Sequence, residues 1–132
     1  MIGLDTNVLL RVLVDDDDPQ AALARKYLAA ECDAANPTLI NTIVLVEVVW
    51  VLTRRYGYAK PDIVRTIDAL LAAPEFAFAD RELVRSALKT YSRQSIGFTD
   101  AMIAEINRAA GCSATVTFDR KAAKLDGFAL VR

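Results

Sequence analysis

Glu47 stands alone inside a ten-residue apolar run from Ile43 to Leu52. Whichever side of that segment faces inward, neighbouring apolar groups are expected to strip it of water, and a carboxylate so placed must neutralise, pair or coordinate a metal. Three more acids occupy pointed positions: Asp5 ends the first strand-like run, Asp100 follows Thr99 at the start of a helical pattern, and Asp119 follows a late apolar strand. Two carboxylates about 4 Å apart repel by roughly 4 kcal/mol at an effective dielectric near 20, so four that converge need a cation or protons. The chain has no histidine. That excludes Ser-His and Cys-His catalysis, imidazole general bases and the usual nitrogen ligands of zinc. Oxygen donors without histidine or paired thiols favour Mg²⁺ or Mn²⁺, which can activate water and polarise a phosphoryl oxygen. The chemistry that fits is phosphodiester hydrolysis.

The elements that must position these acids follow from periodicity and caps. Met1 to Leu4 reads as a short buried strand, and Asp5-Thr6-Asn7 supplies cap chemistry for a helix from Val8 to Val14. Asp15 to Asp18 reads as a solvated acidic loop rather than a cation site, since consecutive side chains diverge. Asp18 is the N-cap and Pro19 the first residue of a second helix, with Leu23, Tyr27 and Leu28 inward. Thr38 to Ile40 is a short strand, and Asn41 or Thr42 caps the helix that carries Glu47 and ends near Arg55 to Gly57. A helix from Pro61 buries Ile63, Ile67, Leu70 and Leu71, and Glu75 to Ala79 is a short strand or extended link. Arg81 to Gln94 is helical, with Leu83, Val84, Ala87, Leu88 and Tyr91 inward. The next helix starts near Thr99, its cap, carries Ala101, Ile103, Ala104 and Ile106 inward, and stops at Gly111. A buried strand is expected at Ala114 to Phe118, and Phe128 to Val131 can form a last strand.

Short apolar strands alternating with helices imply an α/β sandwich with a mainly parallel sheet, whose sites lie beyond the C-terminal strand ends. Asp5 and Asp119 fall on that edge. At 132 residues, 54% hydrophobic and 25% charged, the chain reads as one globular domain. Its apolar runs fall short of the roughly 20 residues that span a bilayer, and no secretory signal is evident, so a cytoplasmic protein is expected. Cys32 and Cys112 lack CxxC spacing and read as free thiols. A net charge of -1 gives no global attraction to polyanions, so binding of nucleic acid must rest on a local patch or on bound cations.

Four segments, IGLDTNVLL, IVLVEVVWVL, FTDAMIAEINRAAGC and TVTFDRKAAKL, together resemble the PIN-domain ribonucleases across nearly the whole chain. In size and order they are most similar to VapC toxins, the ribonuclease halves of toxin-antitoxin pairs. The resemblance implies a PIN-like α/β/α sandwich formed by residues 1–132 as a single domain, and a metal-dependent endoribonuclease acting as a toxin. It implies a Mg²⁺ or Mn²⁺ site made by Asp5, Glu47, Asp100 and Asp119, with Thr6, Asn7 and Thr117 in support, although helix capping explains Thr6 or Asn7 equally well. It further implies an RNA substrate, a VapB-like antitoxin lying over the active-site groove, and a homodimer.

Arg81, Arg85, Lys89 and Arg93 recur every four residues and form a basic stripe that RNA can use, as can Lys121, Arg54, Arg55 and Lys124. Each cation taken alone also reads as part of a solvated helix face. Tyr27, Leu28, Trp50 and Leu52 are groove candidates, with core packing the simpler role for most. Read singly, Asp5 and Asp100 are ordinary helix N-terminal acids, Asp119 an ordinary turn residue, and Glu47 a partner for Arg11 or Arg54. Two other classes fit the same fold: a catalytically silent binding module whose acids hold a structural cation or a partner arginine, and a phosphotransfer or receiver-like domain with Asp5 or a neighbour as acceptor.

Overall fold

The computed structural model describes residues 1–14 and 18–132. The expected acidic loop falls largely on Asp15 to Asp17, outside the described residues. The chain divides into two compact units, Met1–Arg81 and Glu82–Arg132.

The first unit holds β1 (Ile2–Gly3), α1 (Thr6–Leu13), α2 (Pro19–Glu31), β2 (Thr38–Leu39), α3 (Thr42–Arg54), α4 (Lys60–Ala72) and β3 (Phe76–Ala77). Its strands pair in parallel in the order β1-β2-β3, with Ile2 opposite Thr38 and Thr38 opposite Phe76. Parallel neighbours need crossovers, and each one here is a pair of helices. Thr38, in the middle strand, is fully buried, and its hydroxyl donates to the Ile2 carbonyl at 3.1 Å, so the buried polar group is satisfied.

Side-chain caps start the first three helices. Asp5 accepts from the Val8 N–H at 3.0 Å, Asp18 from the Gln20 N–H at 2.8 Å, and Asn41 from the Val44 N–H at 2.9 Å. Pro19 opens α2, where its missing N–H costs nothing. α3 buries Val44, Leu45, Val48, Val49 and Leu52 on one face. It ends where Gly57, at φ +69°, lets the chain fold back so that the Tyr58 N–H reaches the Leu52 carbonyl at 3.0 Å. α4 completes this core with Ile63, Ile67, Leu70 and Leu71.

α2 departs from expectation. Leu23 and Tyr27 are exposed and Leu28 is half-buried, while only Ala21 is fully covered. A helix that packs through one small residue leaves its large apolar ones outward, which apolar spacing alone does not reveal.

The second unit comprises nearly all of α5 (Arg81–Arg93), then α6 (Phe98–Ala109), β4 (Thr115–Thr117), a 3-10 turn (Ala122–Lys124) and β5 (Phe128–Leu130), with β4 and β5 parallel. Val84, Ala87, Leu88 and Tyr91 of α5 are buried, and the Tyr91 ring meets Phe98 edge to face at 5.6 Å. α6 buries Phe98, Ala101, Met102 and Ala104 but leaves Ile103 and Ile106 exposed. Gly97 rather than Thr99 is its N-cap, and Gly111, at φ +95°, follows its end. The Asn107 amide donates to the Thr115 hydroxyl at 2.9 Å and ties α6 to β4. Val116 and Phe118 were expected inside, yet Phe118 is 84% exposed. Alternate residues of a strand face opposite sides, and here it is Thr115 and Thr117 that are half-buried. β1 is likewise less buried than expected, with Ile2 and Gly3 both exposed.

Two outcomes check these cores. Leu45→Ala should lower stability by about 2–5 kcal/mol in urea unfolding, because a fully buried leucine leaves a cavity. Burial raises the Tyr91 phenol above its ordinary value. The folded state therefore disfavours the phenolate, and stability that is intact below about pH 10 is lost as the pH rises beyond it. Tyr91→Phe should flatten that alkaline loss in a pH series of thermal melts.

Candidate metal centre

In the first unit β1 and β2 run parallel, so Asp5, just beyond β1, and the first turns of α3, just beyond β2, share the C-terminal edge of the strands. Asp5 uses Oδ1 to cap α1, which leaves Oδ2 open among the described residues. Thr6 opens the helix, and Asn7 is exposed beside Asp5. Asp5, Asn7, Val8, Arg11, Leu23 and Tyr27 are among the residues lining a groove of about 560 Å³ between α1 and α2. Arg11 pairs with Asp18 at 3.1 Å within this unit. Leu23 and Arg11 were not anticipated as groove residues; the i, i+4 spacing of Leu23 and Tyr27 was the available signal, but it pointed inward.

Glu47 corrects an expectation. It is exposed, because α3 turns its apolar stripe inward and places Glu47 on the opposite face with Ile43, Trp50 and Arg54. Among the described residues its carboxylate makes no hydrogen bond or ion pair, so the alternative of a partner in Arg11 or Arg54 is not realised. Trp50 is 55% exposed and Leu52 is buried at 1%, so only the first can meet a partner.

In the second unit Asp100 occupies the first turn of α6, where the partial positive charge of the helix end favours an anion. It too is exposed, and among the described residues it has no hydrogen-bond or salt-bridge partner. Asp119 follows β4, and its Oδ1 accepts from the Lys121 N–H at 2.8 Å and the Ala122 N–H at 3.3 Å. Thr117 accepts from the Asp119 N–H at 3.0 Å, so the hydroxyl shapes the turn that presents Asp119. Because α6 and β4 join through a short connection and are tied at Asn107–Thr115, Asp100 and Asp119 lie toward the same end of this unit.

Within each unit, no three Asp, Glu or Cys side chains among the described residues form a metal-ion cradle. Each unit instead holds two of the four expected acids. Every one of the four keeps at least one carboxylate oxygen open among the described residues, the kind of donor that suits a hard divalent cation.

Of the expected basic stripe, Arg85, Lys89 and Arg93 are exposed, with Arg85 paired to Glu82 at 3.4 Å. Arg81 does not share that face. Its guanidinium donates to the Leu71 and Phe76 carbonyls and lies over the Phe78 ring at 5.1 Å, closing the end of the first unit. Lys121 is exposed next to the Asp119 turn.

The family profile described as PIN domain matches residues 2–128. A VapC ribonuclease of Aquifex aeolicus (strain VF5) is 25% identical over 128 residues, covering 97% of this chain and 93% of that protein. The crystal structure of Mycobacterium tuberculosis VapC20, described as a sarcin-ricin loop cleaving toxin, is 19% identical with a TM-score of 0.45, covering 93% of this chain and 95% of that one.

The two roles of Asp5 can be separated. Asp5→Asn keeps a competent N-cap and should hold thermal stability within about 0.5 kcal/mol, whereas Asp5→Ala should cost about 1 kcal/mol. Both should weaken divalent-ion binding measured by calorimetry.

Proposed function

The chain belongs to the PIN-domain family, which its residues 2–128 match, and on that premise we propose that it is a metal-dependent endoribonuclease of the VapC kind, the toxin of a toxin-antitoxin pair. The observation that carries this reading is that Glu47 and Asp100, inside the segment that the PIN-domain profile matches, stand exposed with no described side chain engaging them. An acid kept out of every ion pair on a surface that offers arginines suits a cation better than a structural role. The likeness to a protein named VapC ribonuclease, over 97% of this chain, supports RNA as the substrate. The family match runs through both compact units, which supports residues 1–132 acting as one domain.

In this reading Asp5, Glu47, Asp100 and Asp119 hold Mg²⁺ or Mn²⁺. The ion, when bound, activates water and shields charge on the phosphoryl group. The chain's own residues do the rest. Asp5 and Asp119 are pinned by backbone N–H groups through one oxygen each, so their rotamers are fixed before anything binds. Thr117 holds the Asp119 turn, Thr6 and Asn7 flank Asp5, and one of the acids takes the proton of the attacking water. Arg85, Lys89, Arg93 and Lys121 offer exposed positive charge to the RNA backbone.

The groove beside Asp5, with Leu23 and Tyr27 exposed along α2, suits an apolar segment of a VapB-like antitoxin. Such a pair works in the cytoplasm, as a homodimer of the toxin. No helix of the described residues is long and apolar enough to cross a membrane.

Mapping 5′ ends in total RNA treated with purified protein and Mn²⁺ tests the reading. Discrete cuts are expected, abolished by EDTA and reduced by about 100-fold or more in Asp100→Asn and in Glu47→Gln with folding retained. Unchanged cutting in both variants would remove the acids from the mechanism, and no cutting by folded, antitoxin-free protein would favour a silent binding module.

A further inference from the structure

The outward face of α3 carries Ile43, Glu47, Trp50 and Arg54 within a narrow arc of the helix, opposite the buried stripe. Trp50 is 55% exposed. The inner face is filled without it, so the core gains nothing from this large ring, and an indole left more than half exposed beside exposed Ile43 calls for a partner. The Arg54 guanidinium lies over the ring at 5.9 Å. Among the described residues Arg54 makes no ion pair, so its charge is uncompensated by any described carboxylate.

We propose that Trp50 and Arg54 form a stacking platform for one unpaired base of single-stranded RNA, placed next to Glu47. The proposal rests on the ribonuclease reading and adds to it the feature that seats the substrate. A flat aromatic face accepts any base, which gives affinity without dependence on sequence, and an adjoining guanidinium can stack with the base or bind its phosphate. Residues three apart on a helix have Cβ atoms about 5–6 Å from each other. A nucleotide stacked on Trp50 therefore holds a phosphate within reach of Glu47, and that contact sets the register of the strand over the acid. The flanking cations supply the charge complementarity that a purely apolar partner would not need, since Arg54 and Arg55 are both exposed at this end of α3.

Trp50 is the only tryptophan in the chain, so its emission reports on this platform directly. Asp100→Asn protein, with cleavage disabled and the platform intact, would be titrated with oligouridylate and oligoadenylate of about eight nucleotides, beside an abasic strand of the same length. Both base-bearing strands should quench Trp50 saturably and the abasic strand should not. In anisotropy with labelled oligomers, Trp50→Ala should weaken binding about 5- to 100-fold and Trp50→Phe should restore most of it. Arg54→Ala should weaken binding and flatten its salt dependence.

Bound RNA that leaves the emission unchanged, or equal quenching by the abasic strand, would overturn the platform. So would an emission shift with protein concentration alone, which would make this face a contact between two copies. Cleavage by the wild type is read separately. Active protein without quenching sinks only the platform, while inert protein that quenches sinks the nuclease reading and leaves a strand-binding surface.

Discussion

Mutual repulsion among carboxylates is the constraint on which the site depends. Four acids drawn close together are costly unless a cation joins them or their charge is offset locally. Local contacts support three of the four acids of the proposed site. Asp5 and Asp119 accept backbone N–H groups, and Asp100 sits in the first turn of α6. The hydrogen bonds fix the direction of the Asp5 and Asp119 carboxylates, so the placement of helix starts and turns at strand ends is also the placement of charge. Glu47 has no such support. It is held only by the rigidity of α3, whose buried face of valine and leucine sets which side the carboxylate occupies.

That division explains what was legible in the sequence. Caps are local, and Asp5, Asp18 and Asn41 begin their helices as the sequence suggests, because one side chain and one N–H three or fewer residues away decide the matter. The parallel pairing of short strands also follows, since βαα crossovers leave few other solutions. The inward faces of α3, α4 and α5 were readable because large apolar residues recur at helical spacing.

Faces chosen by tertiary context were not readable. In α2 Ala21 goes in while Leu23 and Tyr27 stay out, and in α6 Ala101, Ala104 and Met102 go in while Ile103 and Ile106 stay out. Arg81 illustrates the same limit among charges. Its four-residue spacing with Arg85, Lys89 and Arg93 is genuine, yet it serves two carbonyls instead of a surface. For Glu47 the dehydrated setting inferred from the run does not hold, because one helix can be apolar over most of its length and still expose a single arc. The role inferred for Glu47 needs only that arc, on which Glu47, Trp50 and Arg54 stand together.

The central claim is that Glu47 and Asp100 are among the carboxylates through which the protein takes up the divalent cation proposed for RNA cleavage. The most direct test is a Mn²⁺ titration followed by the electron paramagnetic resonance of the unbound ion, on the wild type, on Glu47→Gln in the first unit and on Asp100→Asn in the second. If they are, the wild type depletes the free signal and each single substitution weakens binding about tenfold or more, at fixed ionic strength. Binding that survives both substitutions unchanged would contradict the account.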